Sequence, residues 1–110
     1  MEISERDWKL YRSKISDWQE AYMSRLIQDY KLILGGHGLA SERFWELEKR
    51  IKSDEIKQGV TVRLRRSEML SDLIGLLSDK AIDLADLSEF STQLQDYLKM
   101  IYESKINVTK

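Results

Sequence analysis

DWKLYRSKISDWQEAYMSRLIQDYKLIL, residues 7–34, is the stretch whose reading decides the fold. Trp8, Tyr11, Ile15, Trp18, Tyr22, Leu26, Tyr30 and Ile33 recur at steps of three and four, the spacing that lines up side chains on one face of an α-helix. Two readings stay open. The stripe is one unbroken helix of ~45 Å at 1.5 Å per residue, or Ser16-Asp17-Trp18-Gln19 is a capping box that starts a second helix. We prefer the second, with helices at 4–14 and 17–34 nearly collinear. Ser4 caps the start, and Glu5 and Asp7 stand in the first turn, where the helix dipole favours acids. Gly35-Gly36-His37-Gly38 closes the far end, glycine being suited to a left-handed C-cap.

Downstream, Ser41 caps a helix over 41–57 that carries Ala40, Phe44, Leu47 and Ile51 on one face. Trp45 falls about 100° further round, beside Glu48, Lys49 and Lys52, and is the one large aromatic out of phase with the core. Segment 60–66 reads equally as helix or as extended chain, because Val60, Val62 and Leu64 alternate with Thr61, Arg63 and Arg65. Leu70, Leu73, Ile74 and Leu77 mark a helix over 67–78. Asp83 and Asp86 open a last helix, 83–103, with Leu84, Leu87, Phe90, Leu94, Leu98 and Ile101 on its apolar face and a fraying tail beyond Glu103. The expected fold is all-α, a single domain over 1–110 forming a four- to five-helix bundle.

Composition agrees. Of 110 residues, 42% are hydrophobic and 34% charged, values that suit a globular chain rather than a disordered one. Proline is absent and glycine occurs five times, so little interrupts helices. Without cysteine there are no disulfides and no thiolate chemistry. The acidic start (Glu2, Glu5, Asp7) does not read as a signal peptide, and the apolar run Leu73–Leu77 is far too short to span a membrane. A cytoplasmic protein with no membrane partner is expected. Net charge is −1, with 14 Lys/Arg against 11 Asp/Glu in residues 1–66 and 4 against 8 in 67–110. That mild polarity suits charged helix faces better than a polyanionic partner.

DWKLYRSKISDWQEAYM (7–23), ASERFWELEKRIKSD (40–54), RSEMLSDLIGLL (66–77) and DLADLSEF (83–90) resemble runs in a set of short proteins of Gram-positive bacteria that have no established activity. The resemblance implies a bacterial, cytosolic origin. It carries no catalytic or binding motif.

Few residues offer chemistry. His37 is the only histidine, and no orienting acid or nucleophile is spaced to serve it, so it reads as part of a helix terminus. GGHG lacks the Lys-Ser/Thr of a phosphate loop. Neither a metal nor a cofactor is expected, since zinc and iron sites draw on Cys and His. A small carboxylate-based enzyme using Asp83, Asp86 and Glu89 is a remote alternative, these acids being better explained as caps and surface charge. Arg63, Arg65 and Arg66 form the one dense basic cluster. If 60–65 were a strand, strand–helix–helix would resemble a ribbon-helix-helix DNA binder, giving a nucleic-acid-binding regulator as the alternative function. The acidic start of the last helix and the slightly acidic chain argue against nucleic acid.

The expected function is therefore non-catalytic: a self-associating helical module for protein–protein interaction or regulation. Helix 17–34 bears Ala21, Tyr22, Met23, Leu26, Ile27, Tyr30, Ile33 and Leu34, wider than the ~100° stripe one contact face needs. A homodimer built on Trp8, Tyr11, Trp18 and Tyr22, with Trp45 at its rim, would cover the excess.

Overall fold

The computed structural model describes residues 1–109, with side chains through Lys105. Four α-helices follow in order: α1 (Glu5–Leu34), α2 (Ala40–Asp54), α3 (Met69–Ser78) and α4 (Thr92–Thr109). Short 3-10 turns at Arg66–Glu68 and Leu84–Leu87 precede α3 and α4, and the described residues contain no strand. The fold is all-α.

α1 is one continuous helix rather than the expected pair, and its thirty residues lie along a molecule 51 Å in its longest dimension. Ser4 caps it as expected, its hydroxyl accepting from the Asp7 amide at 3.1 Å. The Ser16–Gln19 box does not form because Ser16 lies inside a continuous helix, where its amide bonds to the carbonyl four residues back; the Gln19 side chain instead donates to the Gln58 carbonyl at 3.0 Å. The glycine loop also departs from expectation. Gly35 ends α1 at φ −85, and no glycine takes positive φ among the described residues. Arg43 removes the need, its guanidinium donating to the carbonyls of Leu34 at 2.7 Å and Gly38 at 3.1 Å. The left-handed positions fall instead on Leu64 and Lys80. Lys80 closes α3 in a Schellman arrangement, with Ala81 N–H reaching the Leu76 carbonyl and Lys80 N–H that of Leu77.

α2 starts at Ala40 and ends at Asp54, three residues short of the expected end, and Ser41 makes no capping bond. Residues 61–65 are neither helix nor strand: the chain turns at Lys57–Thr61 and then twists through Leu64 at φ 56. The expected last helix is broken in two. Asp83 and Asp86 do form a capping box, but it tops only the Leu84–Leu87 turn. The chain then breaks at Glu89–Ser91, where Arg6 binds the Glu89 carbonyl at 2.9 Å and Gln95 the Phe90 carbonyl at 2.8 Å. Ser91 begins α4 afresh, its hydroxyl accepting from Leu94 N–H at 3.3 Å. α4 continues past Glu103 as helix, to Thr109.

The core gathers Tyr11, Ile15, Tyr22 and Leu26 of α1, the apolar face of α3, Leu87 and Phe90 from the linking turn, and Leu94 and Leu98 of α4. α2 adds nothing apolar to it. Its only buried residue is Asp54. The molecule thus divides into a body of α1, α3 and α4 and an arm in which α2 folds back along the last third of α1.

Candidate interaction surface

The sequence-flagged residues scatter. Tyr11 and Tyr22 lie inside the chain's own core, so neither can form the expected dimer interface. Tyr11 is buried whole because α3 supplies a partner for its phenol, which donates to Asp72 at 3.2 Å. Tyr22 fits because Gly59 has no side chain where the ring passes. Trp8 and Trp18 are half-buried, Trp8 stacking on Tyr11 at 6.0 Å and Trp18 lying 6.2 Å from Phe90. Trp45 alone stands well out, 62% exposed, as its helical phase suggested. Phe44, expected in the core, is equally exposed and meets Trp45 edge to face at 4.9 Å.

The basic cluster is largely engaged. Arg66 pairs with Glu5 at 2.7 Å and also donates to the Ile3 carbonyl, while Arg63 lies 3.8 Å from Glu68. Arg65 is exposed. With no strand over 60–65, the paired ribbon needed for major-groove entry is not formed. Asp83 and Asp86 turn their carboxylates to each other's backbone amides, at 2.8 and 3.0 Å, and Glu89 accepts from Lys14 at 3.1 Å. Among the described residues no three His, Cys, Asp or Glu converge in a way that could hold a metal ion, and no helix is long and apolar enough to cross a membrane. His37 is exposed in the turn between α1 and α2.

Three buried acids went unnoticed in the sequence, and each ties another element to α1. Asp7 accepts from the Ser91 amide at 3.0 Å and the Ser91 hydroxyl at 2.6 Å, fixing the start of α4. Asp72 receives the Tyr11 phenol. Asp54 receives Tyr30 at 2.6 Å, Arg50 at 2.9 Å and Lys57 at 3.1 Å, anchoring the arm. Burial raises the Asp72 carboxyl above its usual range, the Tyr11 bond opposing it. Burial pushes Asp54 the same way, but the Tyr30 and Lys57 bonds and the charges of Arg50 and Lys57 outweigh it and hold that carboxyl low. Tyr30 is pushed up to about 12, by burial and by the Asp54 carboxylate.

These opposite shifts have opposite consequences in acid. A depressed carboxyl stabilises the fold above its unfolded pKa and loses that contribution as pH falls through the folded value, so Asp54 weakens the arm below about pH 4. Asp72, raised, favours the fold below its unfolded pKa and loses that contribution as pH rises through its folded value. Urea midpoints at pH 6 and pH 3 should therefore fall less for Asp54→Asn than for the wild type. An equal fall would show that Asp54 is not the arm's acid-sensitive anchor.

Most of the exposed large apolar side chains lie on the arm, Met1, Leu64 and Met100 being elsewhere. Ile27 and Leu34 of α1 are 50% and 49% exposed, and Ile51 of α2 is 41% exposed. Between the helices runs an almost wholly apolar groove of about 220 Å³, walled by Met23, Ile27 and Tyr30 on one side and Ile51 on the other, and closed by Val60. Phe44 shares the helical phase of Ile51 to within about 20° and lies about 10 Å from it along α2. Comparison with known protein families, with curated proteins and with solved structures returns no match to the chain.

Proposed function

We propose that this chain is a non-catalytic protein–protein interaction module in which the α1–α2 arm docks and the body holds it out. One observation carries the reading: α2, fifteen residues long with a regular apolar face, buries only Asp54. A helix of that pattern ordinarily covers its stripe against something. Ile27, Leu34, Phe44, Trp45 and Ile51 leave about half of their area open, on the order of 500 Å² if large side chains bury about 150–250 Å² each. A patch of that size lies at the upper end for a monomer and marks contact sites. The likeness of 7–23, 40–54 and 66–90 to short cytosolic bacterial proteins supports a cytoplasmic site of action.

Photo-cross-linking inside cells tests this. Replacing Phe44 or Ile51 with p-benzoylphenylalanine should give light-dependent adducts. The same probe at Arg12 or Lys99, exposed on the body, should give few. Adducts spread evenly over both regions, or arising chiefly from Arg65, would overturn the assignment of the arm.

A further inference from the structure

The occupant of the arm can be read from its seams, granted that the arm is the docking element. Met23, Ile27, Tyr30 and Leu34 step by four, three and four along α1. Ala40, Phe44, Leu47 and Ile51 repeat the same steps along α2. Such spacing is what a bundle helix turns toward a shared axis. In a self-sufficient hairpin the two seams would face and bury each other. Here the seams face each other across an open groove, and polar pairs, Arg50 with Asp29 at 3.0 Å and Tyr30 with Asp54 at 2.6 Å, tie the helices beside it. Ile27 and Ile51 are left open at the groove, and Leu34 and Phe44 are left open further along the same helices. The arm has the layout of half a four-helix bundle.

We propose that a second copy of this chain supplies the other half. The two arms pack seam to seam about a two-fold axis, and the Phe44–Trp45 pair of each copy enters the groove of the other. A projecting Phe44, with Trp45 edge to face against it, and a hole at Ile51 in the same helical phase, seven residues or about 10 Å along α2, are the elements of a self-complementary contact. Two-fold pairing then fills both holes at once. Two patches of about 500 Å² give roughly 1,000 Å² of apolar contact before any polar rim, enough for a specific interface at the small end of the range. The rim charge is partly compensated: Glu48, next to Phe44 and Trp45, carries Lys52 at 3.6 Å and the groove's Asp54 is paired with Arg50 and Lys57, while Glu55 stands at the groove's exposed edge.

Light scattering and disulfide trapping on the purified full chain test the proposal together. At about 100 µM the mass should be about twice the 13.0 kDa of one chain. Phe44→Ala and Ile27→Asp, both at exposed positions, should each return it to one chain mass with the helical circular dichroism intact. Because the chain has no cysteine, mixing Phe44→Cys with Ile51→Cys protein under mild oxidation should give a mixed disulfide. Ser13→Cys mixed with either should not. A monomer at that concentration overturns self-association. So does a dimer indifferent to Phe44→Ala and Ile27→Asp, or one trapped equally well through Ser13→Cys. The in-cell cross-links separate the two ideas: arm adducts heavier than one chain but not twice its mass would keep the docking role and reject the second copy as occupant.

Discussion

Gly59→Ala should be among the most damaging single methyl groups that can be added to this protein. A β-carbon there would stand 2.2 Å from Cδ2, 2.7 Å from Cε2 and 2.8 Å from Cγ of the Tyr22 ring. The ring cannot swing away, because Tyr22 is itself buried in the core. Overpacking of this kind costs about 3 kcal/mol, which for a domain of this length is roughly 10 °C or more in Tm. Backbone conformation is not the cause, since Gly59 does not take positive φ. The contact itself can be isolated by a double-mutant cycle. In a Tyr22→Leu background the added methyl should cost much less than alone, a non-additivity expected of touching residues. Gly75→Ala is an instructive contrast, its β-carbon meeting only the side-chain amide of half-buried Gln58 at 2.3 Å. That amide can turn aside, so the loss should be smaller. Wild-type thermal stability in Gly59→Ala would mean that the Tyr22 ring does not lie where it is described.

The second large effect belongs to Asp7→Ala. Asp7 is 1% exposed and spends both carboxylate oxygens on Ser91, one on the amide and one on the hydroxyl. Removing it strands two donors in partly buried surroundings at about 1–3 kcal/mol each, so a loss of about 2–6 kcal/mol is expected. The first turn of α4 should loosen with it, since the same hydroxyl caps Leu94. Asp7→Asn keeps one acceptor and should lose less. Combining Asp7→Ala with Ser91→Ala should cost less than the sum of the two, because the stranded hydroxyl is gone. Urea titration reads all four proteins, and strict additivity would rule out the direct tie.

How much of this is legible in the sequence differs from residue to residue. The three- and four-residue steps of Trp8 to Ile33 and of Leu70 to Leu77 locate helices well, because periodicity follows from helix geometry alone. The exposure of Trp45 is legible in its phase; that of Phe44 is not, since its phase puts it with Leu47 and Ile51 yet it is as exposed as Trp45. Nor is the break before Ser91 legible, since Glu89 and Phe90 are unremarkable helix residues and the break depends on Arg6 and Asp7, more than eighty positions away. The joining of 4–14 to 17–34 is likewise not legible, because Ser16-Asp17-Trp18-Gln19 suits a helix interior as well as a cap. Left-handed backbone at Leu64 and Lys80 has no local signal either, for neither residue type favours it. Asp7, Asp54 and Asp72 look like any surface acid until tyrosine and serine hydroxyls are brought to them from distant positions. The apolar face of α2 can be read directly from Ala40, Phe44, Leu47 and Ile51. That no element among the described residues buries it is a property of topology, and only the folded structure displays it.

The three carboxylate ties along α1 also divide the molecule by resistance to opening. Asp7 and Asp72 fasten elements that carry core residues, whereas Asp54 fastens one that carries none. Detaching α2 exposes little new apolar surface, so its opening costs a fraction of the global unfolding free energy and leaves the body intact. A surface that is easily lost is also one that a ligand can retain. Anything that binds only the closed arm stabilises it by mass action, in proportion to the logarithm of its concentration over its dissociation constant. Order at this end of the molecule is then set by occupancy, and the thirty-eight residues from Met23 to Val60 would report the concentration of their partner through how often they come undone.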